Sequence, residues 1–155
     1  MTRHEEGICY RKSSQFSAWD HGKGIAILSG PTVAGKILIV EDNSDLSDLL
    51  ALYLRGMGYE TSQARSSRQG IRKALAERPD LIITDLHLPD MNALEATRLL
   101  KQNPDTSGIP IIILTATSFG EWKEQAVKAG IAGYLTKPTS PPELAKVVRT
   151  LLTEF

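Results

Sequence analysis

The sequence predicts a doubly wound α/β fold, in which a parallel five-stranded sheet is covered by helices on both faces. From residue 36 onward, five short strand-like runs alternate with five segments of helical periodicity. The central runs are apolar at nearly every position, which is typical of strands buried on both faces. Crossovers in such sheets are right-handed, so we expect helices on both sides and ligands beyond the carboxyl ends of the strands.

The strands are predicted from short runs rich in β-branched residues. Lys36–Val40 is a continuous apolar run after its first residue, and residues 110–114 repeat this pattern. Residues 133–135 form the shortest run. The five predicted strands are residues 36–40, 59–64, 80–84, 110–114 and 133–135.

The helices are predicted from apolar residues at three- and four-residue steps and from residues that cap or end a helix. Asn43 or Ser44 can cap the first helix, and Gly56 and Gly58 end it. Trp122 in the fourth helix is expected either as half-buried packing or as part of a partner-binding face. The other four predicted helices are residues 67–77, 92–102, 121–129 and 142–153.

Residues 1–35 differ in composition from the rest of the chain, with glycines, serines and scattered charges and no clear periodicity. Only Gly24–Ser29 is strand-like. We therefore expect a flexible N-terminal extension over residues 1–35 and a single domain over residues 36–155. Gly30–Lys36 fits the first seven positions of a phosphate-binding P-loop, but Ile37 stands where that loop needs Ser or Thr, so no nucleotide site is expected.

Charge and composition exclude several classes of protein. The 18 basic and 18 acidic side chains give a net charge of +0, so a generally basic surface for direct nucleic-acid binding is not expected. The apolar runs are far shorter than the ~20 residues of a membrane span, and Met1–Tyr10 lacks a signal-peptide core. Cys9 is the single cysteine. We expect a cytoplasmic protein without membrane insertion.

Polar residues stand at the ends of the predicted strands and should converge at one edge of the sheet. They are Glu41, Asp42, Asp85, Thr115 and Lys137. Each acid alone could be a helix cap or a loop residue. Three acids together repel one another unless a cation lies among them, and oxygen ligands suit Mg²⁺. The set predicts a Mg²⁺-dependent phosphoryl-transfer site with an aspartate as candidate nucleophile.

Four segments in order carry a resemblance to a known family. They are residues 37–43 (ILIVEDN), 80–92 (DLIITDLHLPDMN), 112–116 (IILTA) and 134–138 (YLTKP). This pattern resembles the receiver domain of two-component response regulators across residues 36–155. The resemblance implies a flavodoxin-like (βα)5 fold with strand order 2-1-3-4-5.

The resemblance also implies the roles of the residues at the strand ends. Asp85 would accept a phosphoryl group from a histidine kinase or a histidine phosphotransfer protein. Asp42, Asp85 and the main-chain carbonyl of His87 would hold Mg²⁺ (or Mn²⁺), and Glu41 would help through a water molecule. Lys137 would contact the phosphoryl group.

A conformational switch is implied in the same way. Thr115 would move toward the phosphoryl group and let Tyr134 turn inward, which changes the face formed by the fourth helix, the fifth strand and the fifth helix. Partners would dock on this face, which also allows a homodimer. His87 and Thr117 would influence the lifetime of the phosphate. The Lys137–Pro138 peptide bond is expected to be cis.

Three alternatives remain beside a stand-alone receiver that is not an enzyme. Because the closing helix near Phe155 leaves no room for an output domain, we expect a protein that acts by docking or as a phosphate carrier; alternatively, the chain is an excised receiver fragment of a larger regulator. An aspartyl-phosphate phosphatase would show Asp-x-Asp after the first strand, where Glu41, Asp42 and Asn43 stand instead. A receiver-like module without phosphorylation is disfavoured by the intact set of site residues. The kinase and the downstream target are not identified by the sequence.

Overall fold

The computed structural model describes residues 34–153, which form one parallel sheet with helices on both faces. The strands lie in the order β2-β1-β3-β4-β5, as expected for a flavodoxin-like fold. The strands are β1 (Lys36–Val40), β2 (Glu60–Ala64), β3 (Leu81–Asp85), β4 (Ile111–Thr115) and β5 (Gly133–Thr136). The helices are α1 (Ser44–Gly56), α2 (Ser67–Glu77), α3 (Ala93–Gln102), α4 (Lys123–Ala129) and α5 (Pro141–Thr153).

The register of the sheet brings the carboxyl ends of its strands to one edge. Val40 of β1 is aligned with Thr84 of β3, and the strands are parallel throughout. Across the other half of the sheet, Asp85 is aligned with Leu114, and Thr115 with Thr136. Residues that end these strands, or directly follow them, therefore lie side by side.

Apolar side chains form one layer on each face of the sheet, because successive side chains of a strand point to opposite faces. On one face, Leu38 and Ile113 pack with residues of α2, α3 and α4. On the other, Ile39 and Leu114 pack with residues of α1 and α5. Burying each such side chain contributes roughly 1.5–3 kcal/mol. Gly70 lets α2 approach β1, since a Cβ there would come within 2.9 Å of Val40 Cγ2.

Side-chain caps fix where three of the helices begin. Asn43 accepts a hydrogen bond from Leu46 N at 3.0 Å, which settles the choice between the two predicted caps of α1. Ser66 caps α2 and Asn92 caps α3 through their side-chain oxygens. These polar residues satisfy backbone N–H groups that have no partner within the helix.

The structure moves several predicted boundaries. β3 and β4 each begin and end one residue later than predicted, so Asp85 and Thr115 are the last residues of their strands. The fourth helix is divided into a 3-10 turn over Phe119–Glu121 and the α-helix α4. Trp122 is only 6% exposed, so the prediction of half-buried packing was wrong. It is the residue that precedes α4.

The N-terminal predictions fall mostly outside the described residues. These include the strand-like Gly24–Ser29 and nearly all of the proposed extension over residues 1–35. Lys36, the last residue of the P-loop-like segment, begins β1, and its Nζ lies 3.3 Å from the carboxylate of Glu77. A P-loop would need a helix at this point. Within residues 34–153, no helix has the length and apolar character needed to cross a membrane.

Candidate functional site

Three carboxylates meet at the carboxyl edge of the sheet. Glu41 and Asp42 directly follow β1, and Asp85 ends the neighbouring β3. One ligand oxygen of each lies within 4.8 Å of the others. Glu41 is 3% exposed and the Asp85 side chain 13% exposed, while Asp42 is open to solvent. The cluster therefore extends from a buried carboxylate, that of Glu41, to a solvent-exposed one, that of Asp42.

Lys137 faces this cluster from the end of β5. Its Nζ lies 3.2 Å from Glu41 Oε1 and 3.5 Å from Asp85 Oδ2. Its backbone N–H donates to the carbonyl of Thr115 at 2.9 Å, which places its main chain beside β4. The peptide bond from Lys137 to Pro138 is cis, as expected.

The cluster carries more negative than positive charge. Burial raises the pKa of the Glu41 carboxyl, the Asp85 charge raises it further, and the Asn43 N–H and the Lys137 ammonium partly offset the rise. Counting Asp42, three carboxylates face one ammonium among the described residues. An oxygen-only donor set with excess negative charge fits a hard divalent cation such as Mg²⁺.

Thr115 lies beside the cluster but its hydroxyl is bonded elsewhere. The residue is 1% exposed, and its Oγ1 accepts a hydrogen bond from Thr117 N at 3.0 Å. The hydroxyl of Thr117 is in turn 3.1 Å from Nε2 of His87. A short relay of hydrogen bonds thus connects the loop after β3 to the loop after β4.

Tyr134 is 41% exposed. Its ring meets the indole of Trp122 edge-on, with the centroids 6.3 Å apart and the planes at 84°. Trp122 also lines a groove of about 410 Å³ beside the site, between the amino ends of α3 and α4. Other residues of this groove are Leu86, His87, Arg98, Thr117 and Gln125.

Sequence reasoning missed Asp90, which joins the loop after β3 to the start of α2. Its two carboxylate oxygens accept from Ser67 N at 3.0 Å and Arg68 N at 2.9 Å. The Ser67 hydroxyl donates to the Met91 carbonyl at 2.8 Å. Although desolvation alone would raise it, these backbone donors and the Arg68 charge lower the pKa of Asp90. The partners are more than 20 residues away, so no local pattern signals them.

The structure brings together four of the predicted site residues, namely Glu41, Asp42, Asp85 and Lys137. Thr115 is adjacent through the neighbouring strand. The side chain of His87 is connected to the site by its contact with Thr117. The metal-binding role of the His87 carbonyl stays a prediction.

Comparison with known proteins agrees with the fold. A family profile described as the response regulator receiver domain matches residues 37–149. The chain is 35% identical over 121 residues to the DNA-binding response regulator MtrA of Mycobacterium tuberculosis, with 78% of this chain and 52% of MtrA covered. The chain spans about half the length of such relatives. It is also 33% identical over 116 residues to the polar-differentiation response regulator DivK of Brucella anthropi, with 75% and 94% covered.

Solved structures give the same picture. The receiver domain of a sensor histidine kinase from Pseudomonas aeruginosa, whose structure has a magnesium ion coordinated in the active site cleft, is similar with a TM-score of 0.71. Its sequence is 31% identical, and the match covers 76% of this chain and 97% of that domain.

Proposed function

The chain belongs to the family of response regulator receiver domains, and we propose that Asp85 is its phosphoacceptor in two-component or phosphorelay signalling. The donor would be a histidine kinase or a histidine phosphotransfer protein. The observation that carries this proposal is the position of the Asp85 carboxylate, which is partly exposed at the mouth of an acidic cluster with the Lys137 ammonium 3.5 Å away.

The same cluster supports a metal site. Asp42, Asp85 and the main-chain carbonyl of His87 would hold Mg²⁺ (or Mn²⁺), and Glu41 would act through a water molecule. The three carboxylates supply the oxygen donors, and the Pseudomonas aeruginosa domain has magnesium in its cleft. The bound cation would supply positive charge that offsets the carboxylates and the incoming phosphoryl group.

The transfer itself needs a nucleophile and a stabilised phosphoryl group. A carboxylate oxygen of Asp85 would attack phosphorus, the phosphorus–nitrogen bond of the phosphohistidine would break, and its electron pair would leave with the imidazole. The Lys137 ammonium would donate to phosphoryl oxygens, where charge builds up. Glu41, already 3.2 Å from that ammonium, would keep it oriented toward the pocket.

Signalling would follow from the added charge. Thr115 would turn toward the phosphoryl group, and Tyr134 would move inward and alter the face formed by α4, β5 and α5. Partners, or a second copy of the chain, would dock there. His87 and Thr117 would influence the lifetime of the phosphate. The exposed ring of Tyr134 on this face supports the proposal.

The wider assignment follows the same family. We propose a receiver domain over residues 36–155 with an extension over residues 1–35, working in the cytoplasm as a signalling module rather than an enzyme on a separate substrate. A second candidate is the receiver part of a longer regulator. The observation that supports it is that the chain spans 52% of MtrA. Immunoblotting of native cells separates the two, since a species well above 17.0 kDa supports the longer regulator.

Phosphorylation of Asp85 is tested with acetyl phosphate and intact-protein mass spectrometry. The unaltered chain should gain one phosphoryl group in Mg²⁺ and none after chelation, while Asp85→Asn should gain none under either condition. Asp45→Asn, an exposed acid in the first turn of α1, is the matched control and should be labelled normally. Labelling of Asp85→Asn at the level of the unaltered chain would exclude Asp85 as the acceptor.

A further inference from the structure

The relay from His87 through Thr117 to Thr115 has a regulatory consequence. We propose that His87 is a positioning residue that holds Thr115 in its resting orientation and thereby sets how readily the domain switches. This inference rests on the proposed function, because it concerns the response of Thr115 to a phosphoryl group on Asp85. It goes beyond an influence on phosphate lifetime, since it acts on the protein before any phosphate arrives.

The first step is the restraint on Thr115 itself. Its backbone is fixed within β4, where its carbonyl accepts from Lys137 N at 2.9 Å, so its side chain moves mainly by rotation about χ1. A β-branched side chain has few allowed rotamers, which makes the change close to two-state. The buried hydroxyl needs a partner in each state, and at rest that partner is Thr117 N at 3.0 Å.

The second step is the restraint on Thr117. Its N–H can hold Thr115 only while the loop after β4 stays in place. His87 extends from the loop after β3 and contacts the Thr117 hydroxyl at 3.1 Å. A hydroxyl both donates and accepts, so this hydrogen bond forms with either neutral tautomer of the imidazole. The contact joins the two loops across the mouth of the site.

The third step is competition. Phosphoryl oxygens on Asp85 would attract the Thr115 hydroxyl, which must first leave Thr117 N. While the contact of His87 with Thr117 is intact, relaxing the loop to release it also costs this hydrogen bond. Without this contact, the switching equilibrium should shift by about two- to tenfold, the factor that one neutral hydrogen bond contributes. A histidine that only ordered water would change dephosphorylation and leave the resting protein unaltered.

The resting protein gives the first test. NMR measurement of amide hydrogen exchange reads the Thr117 N–H directly and needs no phosphate. We expect His87→Ala and Thr117→Val each to speed this exchange by about two- to tenfold, and the double variant to add little. His87→Gln, which can still bond to the hydroxyl, should restore slow exchange. Arg98→Ala, in the same groove but outside the relay, should have no effect. Unchanged exchange in His87→Ala would overturn the proposal.

The second test measures the switch with beryllofluoride and Mg²⁺ as phosphoryl analogue. Trp122 fluorescence reports the groove once Trp19, the other tryptophan, is replaced by Phe. The half-saturating beryllofluoride concentration should fall by about two- to tenfold in His87→Ala and Thr117→Val, and stay constant in Arg98→Ala. Faster exchange with an unchanged half-saturation point would also overturn the proposal, because the contact would then order the loop without restraining Thr115.

Failure of the proposed function would look different. The unaltered chain would then take no phosphoryl group from acetyl phosphate and give no beryllofluoride response, while amide exchange still reports whether the relay holds Thr115. If only the proposal about the relay is wrong, Asp85 should still be labelled normally, and the amide exchange of Thr117 should not change when His87 is substituted.

Discussion

At both ends of the strands, the carboxyl edge and the amino edge of the sheet, a glutamate lies beside a lysine. The pKa values of these two carboxyls nevertheless shift in opposite directions. At the carboxyl edge, Glu41 lies 3.2 Å from Lys137, and at the amino edge Glu77 lies 3.3 Å from Lys36. The pKa of Glu41 is raised and that of Glu77 is lowered. The same type of ion pair therefore has opposite consequences at the two ends of one sheet.

The surroundings explain the difference. Glu41 is 3% exposed, so burial dominates its pKa, and the neighbouring Asp85 adds like charge. The Glu77 side chain is 27% exposed, and although desolvation by itself would raise its pKa, the Ser62 hydroxyl and the ammonium groups of Lys36 and Lys73 lower it. Negative charge is thus in excess at the carboxyl edge and balanced at the amino edge. Unbalanced charge in an accessible cleft is typical of a functional site.

The largest expected effect is a slower phosphorylation when Lys137, but not Lys36, is substituted. Lys137→Ala removes the ammonium that faces Asp85, so the rate of phosphorylation by acetyl phosphate should fall by about 10²–10³-fold, as when one donor to a developing charge is removed. Lys36→Ala should leave this rate unchanged and cost less than about 1 kcal/mol of stability, because its ion pair is partly exposed. Single-turnover labelling and urea denaturation measure both quantities.

Two controls sharpen that comparison. Circular dichroism should show that both lysine variants keep the helical content of the unaltered chain. Lys137→Arg should not restore the rate, since a planar guanidinium does not replace a compact ammonium in a fitted site. Equal slowing by Lys36→Ala and Lys137→Ala would remove the functional distinction between the two edges.

The contrast between the edges also shows what the sequence can predict. Short apolar runs fix the strands, and parallel strands place their carboxyl ends together, so Asp85, Lys137 and Thr115 could be assigned to one site from the sequence alone. The boundaries of β3 and β4 were wrong by one residue because a strand can end on a polar side chain when the ladder continues.

Contacts between residues far apart in the sequence could not be predicted. The hydrogen bond between His87 and Thr117 spans 30 residues, and the cap that Asp90 gives to α2 spans 22 and 23. Both depend on how two loops approach each other in space, which no periodicity or spacing encodes. Leu49 is a smaller example. It is apolar but 42% exposed, because the adjacent Leu50 takes the inward position on α1.

Substitution of Asp90 tests whether every carboxylate at the carboxyl edge of the sheet contributes to the excess of negative charge. It is fully partnered by backbone donors, so we expect a structural role like that of the amino-edge acids. Asp90→Ala should lower the free energy of unfolding by about 1–2 kcal/mol, the usual cost of losing a helix cap. Asp90→Asn, which keeps one acceptor oxygen, should cost less. Urea denaturation measures both, and no loss in Asp90→Ala would show that water replaces the carboxylate at no cost.

The smallest effect concerns Glu77, whose pKa is lowered in the folded protein. A lowered pKa means that the folded state favours the ionised carboxylate, so its contribution is present above the unfolded pKa and is lost as the pH falls through the folded pKa. Glu77→Gln should therefore reduce stability by less than about 1 kcal/mol at neutral pH, and this difference should vanish as the pH is lowered from neutral through the folded pKa. Urea denaturation across this range gives the difference, which 1 M salt should diminish because the pair is partly exposed. A difference that persists at low pH would mean that Glu77 stabilises the protein through packing, and the amino edge would then owe its stability to shape rather than to balanced charge.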